Sequence, residues 1–230
     1  MDLIENGIRN PIKHWYYQHK YWFISQSKLW DTEGDKLLLD VGAGSALFSK
    51  ELLRTGKVKS AIAVDVGYKE NIEILEDGVL LKQSTGYAGH SHFLLTDVLE
   101  HIENDQQFLS EIVKQADKES AFIITVPALM CLWSGHDLYL KHFRRYTKKN
   151  LTNLISNAGL KIVSIRYTYS TVFLLAYFQR KYLVKGSSES QMKDVNPVLR
   201  WILTLLLIPD RHITFLPFGV SIFLEAVKSD

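Results

Sequence analysis

Short runs of consecutive apolar residues recur along the first two thirds of the chain, separated by segments whose apolar positions repeat at helical spacing. Leu37–Val41 is such a run, the pattern of a strand buried on both faces of a parallel sheet. Residues 45–55 then place Leu47, Leu52 and Leu53 on a helical pattern that stops at Gly56, a residue suited to a left-handed helix end. Residues 61–65 repeat the buried-strand pattern, a short helix is predicted over about 68–75, and Val79, Leu80 and Leu81 give a third strand. The loop 84–91 is too short for a full crossover helix, so His92–Thr96 follows as a fourth strand with one sheet face thinly covered. Asp105–Gln115 gathers Phe108, Leu109, Ile112 and Val113 on one helical face, and residues 121–126 form a fifth strand ended by Pro127.

Thr147 predicts the N-cap of a helix that runs through Asn157 to Gly159, and Val163, Ile165, Tyr167 and Tyr169 alternate along a sixth strand. Residues 169–184 are apolar and aromatic, 185–197 read as a polar linker, 198–208 as a second apolar helix and 219–227 as a last strand. Alternating strands and helices predict a doubly wound, Rossmann-like α/β sheet. Ligands of such sheets sit at the carboxyl ends of the strands where strand order reverses, so the chemistry is expected after strands one, two, four and five.

Composition narrows the classes. The 230 residues are 47% hydrophobic, enough to fill the core of one large domain. Lys+Arg 27 against Asp+Glu 25 leaves a formal +2, too balanced for the phosphate-neutralising surface of a general nucleic-acid binder. The single cysteine, Cys131, excludes an internal disulfide and any multi-cysteine metal site, and fits a cytoplasmic location. No export signal is read at the start, and no transmembrane helix is predicted, because the longest stretch without Asp, Glu, Lys or Arg lies between Glu119 and Asp137 and contains Pro127 and Gly135.

Between the first strand and its helix, Asp40-Val41-Gly42-Ala43-Gly44-Ser45-Ala46 forms a glycine turn that lets a ligand approach backbone at a helix N-terminus. The full dinucleotide fingerprint needs glycine at 47, where Leu47 stands, which counts against a nicotinamide cofactor. Asp40 before the glycines can face an ammonium group, and Asp65 at the end of the second strand can accept from two ribose hydroxyls. The pair suggests a nucleoside with a cationic tail; a tight turn with two incidental acids is the bland alternative.

These residues resemble the first motif of the class I S-adenosylmethionine-dependent methyltransferases, with Ala46 where a third glycine is common. The segment Thr96-Asp97-Val98-Leu99-Glu100-His101-Ile102 resembles the fourth-strand motif of the type 11 and type 12 methyltransferase domains. Residues 127–137 and 142–147 resemble the segment after the fifth strand in enzymes of cell-surface glycan and natural-product pathways, and His14-Trp15-Tyr16-Tyr17 resembles the aromatic helix that covers the donor. The resemblance spans residues 12–147, with an echo at 216–221. It implies seven strands with the last antiparallel, S-adenosylmethionine as methyl donor, and a donor site of Asp40, Gly42, Ala43, Gly44, Asp65, Val66, Asp97, Val98, Trp15 and Tyr16. It also implies a single methyltransferase domain over 1–230, divided into a helical lid (1–35), a donor-binding core (36–168) and a helical insertion with the last strand (169–230).

On the loop facing the donor, His136 is the candidate base, Asp137 is expected to orient it, and His101 is placed with them as a catalytic group. His142, Arg144, Arg145 and Tyr146 are the candidates for holding an anionic or hydroxylated acceptor. Asp97, Glu100 and His101 are spaced to share one helical face and bind a divalent ion, or, more blandly, Asp97 and Glu100 form a capping box; no metal is the default. The expected activity is methyl transfer to oxygen of a small-molecule, glycan or lipid-linked acceptor. The rivals are a donor-binding protein without catalysis and a nicotinamide-dependent oxidoreductase. Arg180, Lys181 and Lys185 beside the aromatic stretch suit a peripheral contact with the inner face of a membrane, against a homodimer or core face as the plainer use of that surface.

Overall fold

The computed structural model describes residues 11–70, 72–183, 195–213 and 215–229. Most of the expected linker 185–197, and the first ten residues of the expected lid, lie outside the described residues. The centre is one eight-stranded sheet. In chain order its strands are β1 (Leu37–Val41), β2 (Ser60–Val64), β3 (Ile74–Glu76), β4 (Val79–Lys82), β5 (His92–Thr96), β6 (Ala121–Pro127), β7 (Leu160–Thr168) and β8 (Ser221–Lys228). Across the sheet the order is β3-β4-β2-β1-β5-β6-β8-β7. Strands β4, β2, β1, β5 and β6 are parallel, and β8 enters antiparallel between β6 and β7. The chain winds outward in both directions from β1 and β5, so the crevice between their carboxyl ends is the switch point.

The apolar runs became strands because the central ones are covered on both faces: every residue of β5 and β6 is buried. One face packs α3 (Asp105–Gln115) and α5 (Lys148–Asn157) over Phe93, Phe122 and Ile124. The other packs α1 (Trp15–Ser25) and α2 (Leu47–Arg54) over Leu38, Leu94 and Ile123.

Three expectations are corrected. Among the described residues of 68–75 there is no helix; β3 pairs with β4 as a hairpin, the eighth strand beyond the seven predicted. Asp77 and Gly78 both have positive φ (49° and 81°), the turn geometry that an Asp-Gly pair favours between two strands. The sixth strand ends at Thr168, with a register irregularity between Ile162 and Ser164 that leaves Val163 exposed. Tyr169 has left the strand at φ 58°, where its N–H and that of Ser170 donate to the two oxygens of Asp210, each at 2.7 Å. Asp210 is fully buried and also meets His19 of α1 at 2.8 Å, so this carboxylate ties the first helix to the C-terminal insertion, which includes α6 (Phe173–Phe178) and α7 (Pro197–Leu207).

Burial also sets a pH dependence. His92 at the start of β5 stacks on Trp30 at 4.9 Å, bonds the Leu29 carbonyl at 2.8 Å, and is only 4% exposed. Its pKa is lowered, chiefly by burial. A histidine whose folded pKa lies below its unfolded value leaves the unfolded chain binding more protons, so stability is full above about pH 6.5 and falls as pH drops below it. Urea unfolding across pH 5 to 8 is expected to show this slope, at most about 1.4 kcal/mol per pH unit for one proton, and His92→Gln is expected to flatten it. Identical slopes in both proteins would remove His92 as the cause.

Candidate active site

The turn after β1 is closed internally. The N–H groups of Gly42 and Ala43 donate to the Val64 carbonyl at 2.8 and 3.0 Å. Asp65 accepts from the N–H of Gly44 and of Gly67, both at 2.8 Å, and the Tyr68 hydroxyl donates to the Gly44 carbonyl at 2.5 Å. Asp40 is buried beneath the turn and accepts from the Ser49 hydroxyl of α2. Gly42 and Gly44 hold φ of 70° and 57°, and a Cβ on Gly42 would stand 2.7 Å from a Val98 methyl. Glycine at 42 is thus required by backbone conformation and by the approach of Val98. Ala46 takes φ 56° with its methyl fully buried, which is the packing role of the third small residue.

Two cavities open along the switch point and meet at Asp97. The first is lined by Tyr17 and Lys20 of α1, by Gly42 and Ala43, by Leu47 and Phe48 of α2, and by Thr96 and Asp97. The second is lined by Tyr16, Asp97, Glu100, His136, His142, Arg145 and Arg180, with the end of β6 and Val220-Ser221 behind. The turn with its two acids therefore adjoins a polar cleft of two imidazoles and two guanidiniums.

Asp97 sits at the end of β5 with φ 55°. One carboxylate oxygen accepts from the Thr125 hydroxyl at 3.0 Å and the other from the Lys20 ammonium, which is itself buried. Burial opposes the Lys20 charge, but Asp97 and then Tyr16 outweigh it and hold the lysine pKa above its ordinary value. With both oxygens committed, Asp97 makes no capping box: residues Leu99–His101 form a 3₁₀ turn whose start has no side-chain cap. Glu100 is fully buried, and its carboxyl is pushed well above the usual range by burial and by the charge of Asp97. Asp97 also parts from the proposed metal-binding face: the carboxylate and rings that converge are those of Glu100, His101 and His142.

His136 and Asp137 both lie on α4 (Gly135–Tyr139), but Asp137 does not bond His136. It accepts from His142 Nδ1 at 2.9 Å, from Arg145 Nε at 2.8 Å and from the Ser134 N–H at 2.9 Å. Burial would raise this carboxyl, yet the His142 hydrogen bond and the Arg145 charge keep it well below the carboxylate range. His136 and His101 are each lowered to about 4, in both cases first by burial, then by Arg180 for His136 and by His142 for His101.

The expected acceptor residues divide. His142 and Arg145 face the second cavity, whereas Arg144 and Tyr146 line neither cavity: the Arg144 guanidinium pairs with Asp105 at 3.0 Å and the Tyr146 hydroxyl donates to Asp105 at 2.7 Å. Of the expected donor residues, Tyr16 reaches the second cavity, Trp15 packs instead beside Tyr169, Val172 and Leu207, and Val66 is 89% exposed after β2. Arg180 was expected on a membrane-facing border; its guanidinium turns inward, donates to the Leu132 carbonyl at 2.8 Å and lies 4.0 Å from Asp137. Burial and the Arg145 charge lower its pKa to about 10. Lys20, Phe48, Thr96 and Arg180 are among the cavity residues that the sequence reading did not place in the site, and of these Lys20, a lone charge inside an aromatic helix, carried a visible signal.

The chain is similar in fold to several solved structures. The crystal structure of the [4+2]-cyclase SpnF matches 97% of this chain and 86% of its own, at 13% identity and a TM-score of 0.58. An O-methyltransferase family protein from Burkholderia thailandensis matches 94% of this chain and 57% of its own, at 10% identity and 0.57. A SAM-dependent methyltransferase from Archaeoglobus fulgidus matches 85% and 87%, at 17% identity and 0.50. No known family profile and no curated protein sequence matches the chain. The fold is that of the class I S-adenosylmethionine-dependent methyltransferases. Because a cyclase stands among the neighbours, the likeness fixes the fold and leaves the reaction to the site.

Proposed function

We propose that the protein is an S-adenosylmethionine-dependent methyltransferase acting on oxygen of a small-molecule, glycan or lipid-linked acceptor. The observation that carries this reading is the pair of cavities meeting at Asp97, one at the glycine turn and one polar. Of the residues lining the first, Gly42 and Ala43 allow close backbone approach and the Lys20 ammonium suits the amino-acid carboxylate of the donor; Asp65 and Asp40, at and beneath the same turn but outside that lining, are assigned the ribose hydroxyls and the support of the turn. The donor, when bound, supplies an electrophilic methyl group. Tyr17 lines the first cavity and Tyr16 the second, and we assign α1 to a lid over 1–35 on a core of 36–168.

In the second cavity His136 is unprotonated at neutral pH, but a ring lowered to about 4 is too weak a base to deprotonate an alcohol unaided. We therefore give His136 the task of aligning the acceptor by hydrogen bond, and Arg145 and Arg180 that of drawing in its negative charge. Exposed Leu174 and Phe178 on α6 and Trp201 on α7 offer apolar surface on the helical insertion for the hydrocarbon part of a lipid-linked acceptor. Among the described residues no helix is long and apolar enough to cross a membrane.

Calorimetry with S-adenosylmethionine and with NADH tests the donor. Binding of S-adenosylmethionine is expected, and Asp65→Ala is expected to weaken it by about 1.5–3 kcal/mol through loss of charged hydrogen bonds. Unchanged affinity in folded Asp65→Ala would refute the site, and binding of NADH alone would turn the reading to an oxidoreductase. Release of S-adenosylhomocysteine with hydroxylated acceptors, each offered with and without an alkyl chain, separates catalysis from donor binding alone.

A further inference from the structure

Three side chains at the cleft carry polar atoms that nothing else in the described residues uses. Glu100 is fully buried, and apart from its own backbone N–H no donor reaches either carboxylate oxygen. His101 and His142 each leave Nε2 without a partner. Their rings meet edge to face with centroids 4.6 Å apart, and one ligand atom from each of the three residues lies within 4.8 Å of the other two. Buried polar atoms are nearly always paired, so three orphans converging on one point call for a missing partner.

The far side of the His142 ring is held: its Nδ1 is 2.9 Å from Asp137 Oδ1. Asp137, ionised beside Arg145, can only accept, so the His142 proton sits on Nδ1 and the lone pair on Nε2. A carboxylate behind the imidazole is the support that metal-binding histidines have, and His142 has it. We propose that Glu100, His101 and His142 bind one divalent first-row transition-metal ion, with Asp137 as a positioning residue for His142. Two imidazole nitrogens and one carboxylate oxygen suit zinc, manganese, iron or cobalt, whereas magnesium and calcium prefer all-oxygen sets. Asp97 is outside the set, since both its oxygens are taken.

Three protein ligands leave coordination positions open, and Glu100 and His142 line the acceptor cavity, so the open side faces it. The role of the ion rests on the methyl-transfer reading: an acceptor hydroxyl coordinated there would release its proton to solvent near neutral pH, a task His136 is too weak to perform. Binding of the ion rests only on the three side chains.

The test uses the untagged full chain, stripped with chelator and titrated with Co²⁺ by visible absorption and elemental analysis. One Co²⁺ per chain with ligand-field bands is expected. His101→Gln and His142→Gln are expected to lower its affinity about 100-fold or more, and Asp137→Asn about 10- to 100-fold. Glu100→Gln, nearly isosteric and free of a buried charge, keeps the test open should the histidine variants fold poorly, and it too is expected to lose the bands. No stoichiometric Co²⁺ on the folded chain, or equal affinity in Glu100→Gln, overturns the site. Calorimetry with S-adenosylmethionine on the same samples separates the two readings: Co²⁺ uptake without donor binding keeps the metal site and sinks methyl transfer, and donor binding without Co²⁺ does the reverse.

Discussion

Lys20→Met is expected to destabilise the fold by about 3–5 kcal/mol, because it strands the Asp97 carboxylate in a buried position with its compensating charge gone. Lys20 is 3% exposed and Asp97 7%, so water cannot readily replace the lost partner. Asp97→Asn alone is expected to cost in the same direction by stranding the ammonium. Combining the two removes both charges, and the double variant is expected to recover much of the loss, giving a coupling energy above the roughly 0.5 kcal/mol within which independent sites add. Urea titrations of the four proteins measure this directly. Donor affinity is expected to behave differently: it should stay low in the double variant, since Lys20 is assigned to the donor carboxylate as well as to Asp97. Additive stabilities would show that the pair is solvated in solution; recovered donor affinity in the double variant would remove Lys20 from the donor site.

Much of the sheet can be read from single residues. Runs such as Leu37–Val41 and Ala121–Pro127 are apolar but for Asp40 and Thr125 because central parallel strands are buried on both faces, and that pattern survives without any knowledge of partners. The β3 hairpin carries no such mark: Ile74, Leu75 and Glu76 are all exposed, so no burial pattern constrains them, and only Asp77-Gly78 announces the turn. The glycine turn was similarly legible, since the positive φ of Gly42 and Gly44 is a local demand that glycine meets, although Val64 and Asp65, which close it, lie far along the chain. The polar cleft was not. Whether Asp137 reaches His136 beside it or His142 and Arg145 further on depends on how the chain doubles back after α4, and the spacing in sequence says nothing of that. Arg180 reads as one more basic residue next to an aromatic helix until the insertion folds over the cleft and turns its guanidinium inward.

Asp137→Ala is the second large effect expected. The carboxylate is fully buried and joins donors from three residues: the His142 ring, the Arg145 guanidinium, and the N–H and hydroxyl of Ser134 at the start of α4. Arg145 is only 6% exposed, and its other hydrogen bond among the described residues, at 3.1 Å, is to the Ala128 carbonyl, which does not neutralise a charge. Removing the carboxylate therefore leaves a buried cation uncompensated, at about 3–5 kcal/mol. Asp137→Asn preserves shape yet removes the charge, so it is expected to lie close to the alanine variant rather than close to the wild type. Arg145→Met added to Asp137→Asn should restore part of the stability by withdrawing the stranded guanidinium. The site makes a sharper demand on function: Asp137 does not line the first cavity, so Asp137→Asn, measured below its unfolding transition, is expected to bind S-adenosylmethionine within about twofold of wild type. Methyl transfer is expected to fall about 100-fold or more, because the cleft that aligns the acceptor depends on His142 and Arg145 being held as they are. Loss of donor binding in step with activity would mean that the two cavities form one inseparable unit, and the division of labour across Asp97 would have to be abandoned.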